Sequence, residues 1–202
     1  SLYCTNPDCQ AKKIKSFTLF VSRDALNIEG LSEATLEKFI ARGFIHEFAD
    51  IFRLSRFREE IVELEGFGEK SYENLISSVE KARKTTLARV IYSLGISNIG
   101  LSGAKLICRQ LDDEVERLLA ASEEELAAID GVGPVIAASF TGYFADPEKR
   151  ERFFRLLSEL TLEKEETAAV QDLKGKVFVV TGSLTHFSNR AELKELIEKR
   201  GG

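Results

Sequence analysis

A three-residue turn of the form small–apolar–small occurs four times along this 202-residue chain, each time between two stretches of helical periodicity. The turns lie at residues 30–32, 66–68, 98–100 and 131–133, and we number them hairpins 1 to 4. Their last residues are 36, 32 and 33 positions apart. Four similar units at a nearly constant period indicate a repeat architecture, which constrains the fold more than any single motif could.

The residue types in these turns are those that a sharp backbone bend requires. Glycine adopts a positive φ without strain and lets another backbone approach closely. Where glycine is replaced, Asn98 can enter the left-handed region and Ser32 can cap the following helix. Pro134, directly after hairpin 4, suits the first position of a helix, because that position needs no N–H donor. The sequence therefore predicts tandem helix-hairpin-helix repeats in a mainly α fold.

Apolar periodicity predicts which side of each helix is buried. The middle residue of every hairpin is apolar and should fill the space between its two helices. Cys108 lies in a strongly apolar helical stretch and is expected in the core. Ser122 and Glu125 form a predicted capping box before hairpin 4, and Asp146 with Pro147 predicts the start of a later helix. The expected buried stripe of that later helix is Phe153, Phe154, Leu157 and Leu160.

A glycine hairpin that leads into a helix is suited to bind phosphate, because it exposes backbone N–H groups at the positive end of the helix dipole. The net charge is −5 and the pI near 5.3, so amide donors would have to replace a broad basic surface. Two hairpins side by side could hold the strands that flank a minor groove without reading sequence. The predicted DNA-binding residues are Gly30, Ser32, Gly66, Gly68, Lys70, Asn98, Gly100, Lys105, Gly131 and Gly133.

Two cysteines near the N-terminus, Cys4 and Cys9, flank an Asn-Pro turn. Thiolates at this spacing can both reach one zinc ion. A structural zinc site has four ligands, so the pair is interpreted as half of a Cys4-type zinc finger. The alternative is two ordinary thiols.

Beyond the repeats, the sequence changes character. The polar, acidic stretch TLEKEETAAVQ favours a linker. It is followed by GKVFVVTGSL, a predicted buried strand, and by NRAELKELIEKRGG, a predicted helix. A single strand leaves the backbone hydrogen-bonding groups on both of its edges unpaired, so this part is interpreted as an incomplete α/β module. Thr181 and Gly182 are expected to form the turn that ends the strand.

In this order, these modules resemble the C-terminal half of bacterial NAD-dependent DNA ligases. The motif CTNPDC resembles the second cysteine pair of the ligase zinc finger, the four hairpins resemble its helix-hairpin-helix domain, and LKGKVFVVTGSL resembles the start of a BRCT domain. The resemblance implies the end of a zinc finger at 1–20, a helix-hairpin-helix domain at 21–163, a linker at 164–172 and part of a BRCT domain at 173–202.

The resemblance also implies a function. The family seals nicks in duplex DNA during replication and repair, using NAD, magnesium and an adenylated lysine of N-terminal domains that this chain is expected to lack. The chain would therefore bind nicked duplex DNA but not catalyse the reaction by itself. It would share a zinc ion with a cysteine pair upstream of Ser1 and work in the bacterial cytoplasm, at the nucleoid and not at a membrane.

Two other functions fit the same pattern. A helical scaffold for protein partners would use the hairpins only as turns, and the acidic pI favours it. A helix-hairpin-helix region of another DNA repair enzyme would keep the DNA-binding role but not the cysteine pair or the BRCT-like segment. Ser32 and Asn98 depart from the glycine-rich form, so hairpins 1 and 3 are candidates for a purely structural pair.

Overall fold

The structure, a computed structural model, describes residues 10–164 and Ile197. The predicted zinc ligands Cys4 and Cys9 lie outside these described residues, as does the predicted BRCT segment 173–202 apart from Ile197. No helix within the described ranges is long and apolar enough to cross a membrane.

The chain divides into two compact units, residues 1–163 and 164–202. The described part of the first unit contains ten α-helices, one 3₁₀ helix and two short strands. In chain order they are α1 (Gln10–Val21), α2 (Glu33–Ala41), the 3₁₀ helix (Phe48–Phe57), α3 (Arg58–Val62), α4 (Glu69–Ala82), β1 (Lys84–Thr85), α5 (Leu87–Ser93), α6 (Leu101–Gln110), α7 (Val115–Ala120), α8 (Glu123–Ala127), α9 (Pro134–Ala145), α10 (Pro147–Ser158) and β2 (Thr161–Leu162).

The helix starts follow the local signals in the sequence. Pro134 is the first residue of α9, and Pro147 is the first residue of α10. The carboxylate of Asp146 caps α10 by accepting hydrogen bonds from two backbone N–H groups of its first turn, at 3.0 and 3.3 Å. The hydroxyl of Ser122 accepts from the N–H of Glu125 at 3.1 Å and caps α8. These predicted starts are confirmed.

One hydrophobic core runs through the unit, and the middle residues of the hairpins contribute to it. Leu31, Ile99 and Val132 are buried in this core, and Phe67 of hairpin 2 packs against it half-buried. Cys108 is fully buried, as predicted.

The predicted stripe of α10 is partly wrong. Phe153 and Leu156 are the buried residues, whereas Phe154 is 46% exposed. Phe153 and Leu156 are three residues apart and share one face of the helix. Phe154 points to another side, where the guanidinium carbon of Arg150 lies 6.0 Å from its ring centroid.

The strand pair was not expected from the sequence. β1 and β2 run parallel, with Lys84 opposite Thr161 and Thr85 opposite Leu162. The prediction that TLEKEETAAVQ begins a linker is therefore wrong for its first two residues. Two residues are too short to show a strand period, and they form a strand here only because the other strand lies beside them.

Hairpins 1 and 2 pack together. A Cβ added to Gly30 would lie 3.5 Å from the side chain of Leu75, which belongs to α4, the helix after hairpin 2. The backbone N–H of Glu29, next to hairpin 1, donates to Ser78 Oγ on α4 at 2.8 Å. We call hairpins 1 and 2 with their helices the first pair.

Hairpins 3 and 4 pack together in the same manner and form the second pair. Gly131 of hairpin 4 lies against Leu106 of α6, the helix after hairpin 3. The side-chain amide of Asn98, in hairpin 3, donates to Ser139 Oγ on α9, the helix after hairpin 4, at 3.2 Å. The hairpins that carry Ser32 and Asn98 thus belong to different pairs, and their predicted structural role stays a prediction.

Candidate nucleic-acid interface

The four hairpins share one backbone conformation. In each of them the first residue has a positive φ, which bends the chain sharply after the preceding segment. The φ values are +91° at Gly30, +86° at Gly66, +65° at Asn98 and +86° at Gly131. The predicted replacement of glycine by a left-handed asparagine is confirmed.

The last residue of each hairpin is the N-cap of a helix and has an extended backbone. Its carbonyl accepts the first hydrogen bond of that helix, over 2.8 to 3.0 Å in the four units. The hairpins therefore present four helix N-termini, those of α2, α4, α6 and α9.

Three of these N-caps are glycines, although neither the backbone conformation nor the packing of the described residues requires glycine there. The φ of Gly68 is −170°, that of Gly100 is −86° and that of Gly133 is −79°, which other residues adopt without strain. A Cβ added to any of them would meet no atom of the described chain within 4 Å. Serine or aspartate would cap the helix better. A glycine with open space beside it is suited to the close approach of another molecule.

The same three N-caps make no side-chain cap hydrogen bond. Hairpin 1 differs, because Ser32 Oγ accepts from the N–H of Thr35 at 3.2 Å. One donor of the first turn of α2 is thus used within the protein. Hairpins 2, 3 and 4 are better suited than hairpin 1 to offer amide donors to an anion.

Hairpin 4 has a different chemical surface from hairpin 2. Pro134 supplies no N–H, so the first turn of α9 has one donor fewer than that of α4. The next residue, Val135, is 64% exposed, the largest exposure among the large hydrophobic side chains of the described chain. Hairpin 4 therefore offers an apolar contact beside its remaining amides.

The two predicted lysines lie close to their hairpins. Lys70 is the second residue of α4, is exposed and forms no ion pair within the described part of the chain. Its neighbour Glu69 pairs with Arg58 at 2.7 Å, which offsets the carboxylate near hairpin 2. Lys105 is half-buried on α6, about one turn beyond Gly100.

A groove of about 930 Å³ runs between hairpins 1 and 2 and along α4. Three cations that the sequence analysis did not select line it: Lys81, Lys84 and Arg89. Glu29 is the one acidic residue of the lining, so the groove has an excess of positive charge although the chain is acidic. The remaining polar lining includes Asn27, Thr35, Ser71, Asn74, Ser77 and Ser78.

A signal for this groove was present in the sequence. In α4 the positions of Lys70, Asn74, Ser77 and Lys81 recur at intervals of four, three and four residues, which places them on one face of a helix. The polar stripe is uncharged in its middle and basic at its ends. Only the structure places hairpin 1 against the same helix, so that Asn74, Ser77 and Lys81 form part of the wall of a groove.

Protein-family models match both pairs. A model described as a SAM-like helix-hairpin-helix tandem matches residues 22–81, and a helix-hairpin-helix motif model matches residues 89–152. The two ranges contain hairpins 1 and 2 and hairpins 3 and 4 respectively, so they agree with the pairs defined by packing.

Proteins named DNA ligase match the chain over its full length or nearly so. The relative from Lachnoclostridium phytofermentans is 57% identical over 100% of the chain, and that from Ruminiclostridium cellulolyticum is 51% identical over 100%. This chain is similar to one segment of these DNA ligases. A more distant DNA ligase, from Spiroplasma citri, is 38% identical over 99% of the chain. The chain spans about a third of the length of these ligases: 31%, 31% and 30%.

The described residues contain no group of three or more His, Cys, Asp or Glu side chains that could hold a metal ion. Cys4 and Cys9 lie outside those residues. The zinc site at these two cysteines stays a prediction from sequence.

Proposed function

We propose that this chain is the duplex-binding segment of an NAD-dependent DNA ligase, and that its hairpins hold backbone phosphates of nicked DNA. The observation that carries the proposal is the set of three uncapped glycine N-caps, Gly68, Gly100 and Gly133, each open to solvent at the α-carbon. Homology to DNA ligases over the whole chain supports the choice of DNA as the ligand.

Each open hairpin would bind a phosphate through the amides of its helix N-terminus. These donors are fixed by the fold and lie at the positive end of the helix dipole, so they need no side-chain charge. Phosphate contacts position a protein on DNA without specifying sequence. A ligase must act at nicks in any sequence, and such a contact set meets that need.

The groove of the first pair extends the contact. Lys81, Lys84 and Arg89 would lie along a strand whose phosphate is held by hairpin 2. Positive charge confined to a groove attracts DNA to that groove. The acidic remainder of the surface disfavours binding of DNA elsewhere on the protein. Hairpin 4 would hold its phosphate through the amides that remain after Pro134, and the exposed Val135 would contact the adjacent sugar edge of the DNA.

The chemistry of nick sealing belongs to other domains in this proposal. NAD, magnesium and the adenylated lysine would be supplied by N-terminal domains of the same enzyme in the bacterial cytoplasm, at the nucleoid. Cys4 and Cys9 would complete a zinc site with two cysteines that precede Ser1. This segment would keep the nicked duplex bound while those domains act.

The test measures the affinity of the purified chain for a fluorescent duplex, nicked and intact, at salt from about 50 to 200 mM, where phosphate contacts give a steep loss of affinity. The variant Gly68→Ala, Gly133→Ala adds one methyl group in the space of each open hairpin. Losing one charged hydrogen bond at each site, about 1.5 kcal/mol apiece, predicts at least a tenfold weaker Kd.

Gly142→Ala is the matched control, since it also adds a methyl group where no atom lies within 4 Å, but in the interior of α9. It should stabilise α9 by up to about 1 kcal/mol and leave DNA affinity unchanged. If the wild-type chain shows no salt-dependent binding, or if the hairpin variant binds as the control does, the proposal is wrong. The former result would favour the protein-scaffold function.

A further inference from the structure

The two hairpin pairs meet through charged contacts as well as through the shared core. Helix α10 packs against α9 of the second pair and also on the 3₁₀ helix, which lies between hairpins 1 and 2. At this junction Glu159, the C-cap residue of α10, faces two arginines of the first pair. Its carboxylate lies 2.6 Å from Arg53 Nε and 3.0 Å from Arg83 Nη1.

The Glu159 carboxylate is well enclosed, with 17% of its side chain exposed. Burial raises the pKa of Glu159, but the hydrogen bonds from Arg53 and Arg83 outweigh it and hold the pKa below its ordinary value. The carboxylate is therefore charged at neutral pH and makes both ion pairs at once.

Arg83 anchors this junction through further contacts. Its guanidinium donates to the backbone carbonyl of Glu159 at 3.0 Å and to that of Phe52 at 2.8 Å. Its backbone carbonyl accepts from the N–H of Thr161 at 2.7 Å, next to the parallel strand pair. A second ion pair, Arg155 Nε to Glu47 Oε2 at 2.9 Å, joins the same two helices nearby.

These contacts lie far from the hairpins along the helices that carry them. Arg83 follows the last residue of α4, whereas hairpin 2 precedes its first. With 14 residues, α4 is about 21 Å long, so a rotation of about 5° at Arg83 would move hairpin 2 by about 2 Å. A displacement of that size breaks a phosphate hydrogen bond.

We propose that the Arg53–Arg83–Glu159 cluster fixes the relative orientation of the two hairpin pairs, so that both pairs bind one duplex together. Glu159 is then a positioning residue that touches no DNA. The inference rests on the proposed function for its effect on affinity, but the orientation itself can be measured without DNA. When the two pairs are held in one relative orientation, binding of one pair gives the other a high effective concentration at the same duplex. This advantage is lost when their relative orientation is free to vary.

The test compares the full chain with Glu159→Gln, which keeps the shape of the side chain and removes its charge. Residual dipolar couplings of backbone amides in α4 and α9 report the relative orientation of the two pairs in solution. The wild type should fit one alignment tensor, and Glu159→Gln should need two. Its affinity for duplex DNA should fall on the order of tenfold, with a shallower salt dependence as one pair disengages.

Glu148→Gln is the matched control. It removes one carboxylate from the same helix, so it changes the net charge equally, but its partner Arg152 lies within α10 itself. It should leave the couplings and the affinity as in the wild type. Arg53→Lys keeps a positive charge opposite Glu159 and should bind DNA more tightly than Arg53→Gln. A role of Arg53 in stability alone does not require the two folded variants to differ in affinity.

The outcomes separate the two proposals. If Glu159→Gln fits one tensor with the wild-type orientation, the positioning role is wrong, whatever DNA binding shows. If the wild type binds no duplex but Glu159→Gln loses the common tensor, the proposed function fails and the positioning role stands. Should Glu159→Gln not fold, Arg53→Gln tests the same cluster by the same couplings, and unchanged couplings there overturn the proposal.

Discussion

The two hairpin pairs use the same backbone turn but surround it differently. In the first pair a polar groove with Lys81, Lys84 and Arg89 separates the hairpins. In the second pair, Gly131 is pressed against Leu106, and exposed Val135 follows a proline that has no N–H. The first pair thus offers cations and open space, and the second offers a more tightly packed turn with an apolar edge.

This difference shows how one repeated motif can supply two kinds of contact. The positive φ of the first hairpin residue is common to all four units and depends only on local backbone sterics. What surrounds the turn depends on the helix that the other hairpin of the pair brings beside it. Equal local geometry therefore does not imply equal function, and the two pairs can be tested against each other.

The largest expected effect compares Gly131→Ala with Gly66→Ala, since both glycines have a φ of +86°. Either substitution should cost about 1–2 kcal/mol for the left-handed conformation. At Gly131 the new Cβ would also lie 3.0 Å from Leu106 Cδ2, whereas at Gly66 no atom lies within 4 Å. Overpacking should add about 1 kcal/mol at Gly131, measured as the difference in free energy of unfolding in urea. Equal costs would show that the second pair is not the tighter one.

The second-largest effect is expected for substitution of the cations that line the groove. The double variant Lys81→Gln, Lys84→Gln should weaken duplex binding by about tenfold, and the slope of log K against log salt should fall by about 1.8, because two phosphate contacts are lost. Lys12→Gln with Lys149→Gln removes the same charge from residues that do not line the groove and is the control. An equal slope change in both double variants would mean that general charge, and not the groove, binds DNA.

Ser32→Ala should have a smaller effect, on stability. It removes the hydroxyl that caps α2, which should cost about 1 kcal/mol in free energy of unfolding. Ser32→Gly should cost only a few tenths of a kcal/mol and would make hairpin 1 resemble hairpin 2. Thermal and urea unfolding measure the loss. An improved DNA affinity of Ser32→Gly would show that the cap keeps hairpin 1 from binding phosphate.

The smallest effect concerns the junction of the pairs and its pH dependence. The pKa of Glu159 is lowered from 4.5 in the folded state, so the unfolded chain binds its proton more tightly. Its stabilising contribution is therefore present above pH 4.5 and is lost as the pH falls through the folded pKa. The stability difference between wild type and Glu159→Gln, from urea unfolding at pH 7 down to pH 3, should narrow with acid. A constant difference would contradict this linkage.

Sequence reasoning was most successful where structure depends on a few neighbouring residues. It predicted the tight turns, the left-handed Asn98, the capping Ser32 and the helix that starts at Pro134, all of which are confirmed. Each of these follows from the steric limits or hydrogen bonds of one residue and its neighbours. Phe154 was assigned wrongly, because a helix with apolar residues on two sides can bury either until its neighbours are known.

The sequence by itself determined a mainly helical chain with four equivalent turns, since hairpin geometry is encoded in consecutive residues. Only the tertiary structure decided which hairpins form pairs, which N-caps stay open, where Lys84 and Arg89 lie, and how Glu159 meets Arg53 from 106 positions away. These features depend on side chains distant in sequence. Their arrangement depends on contacts made only when the chain is packed, which no local pattern records.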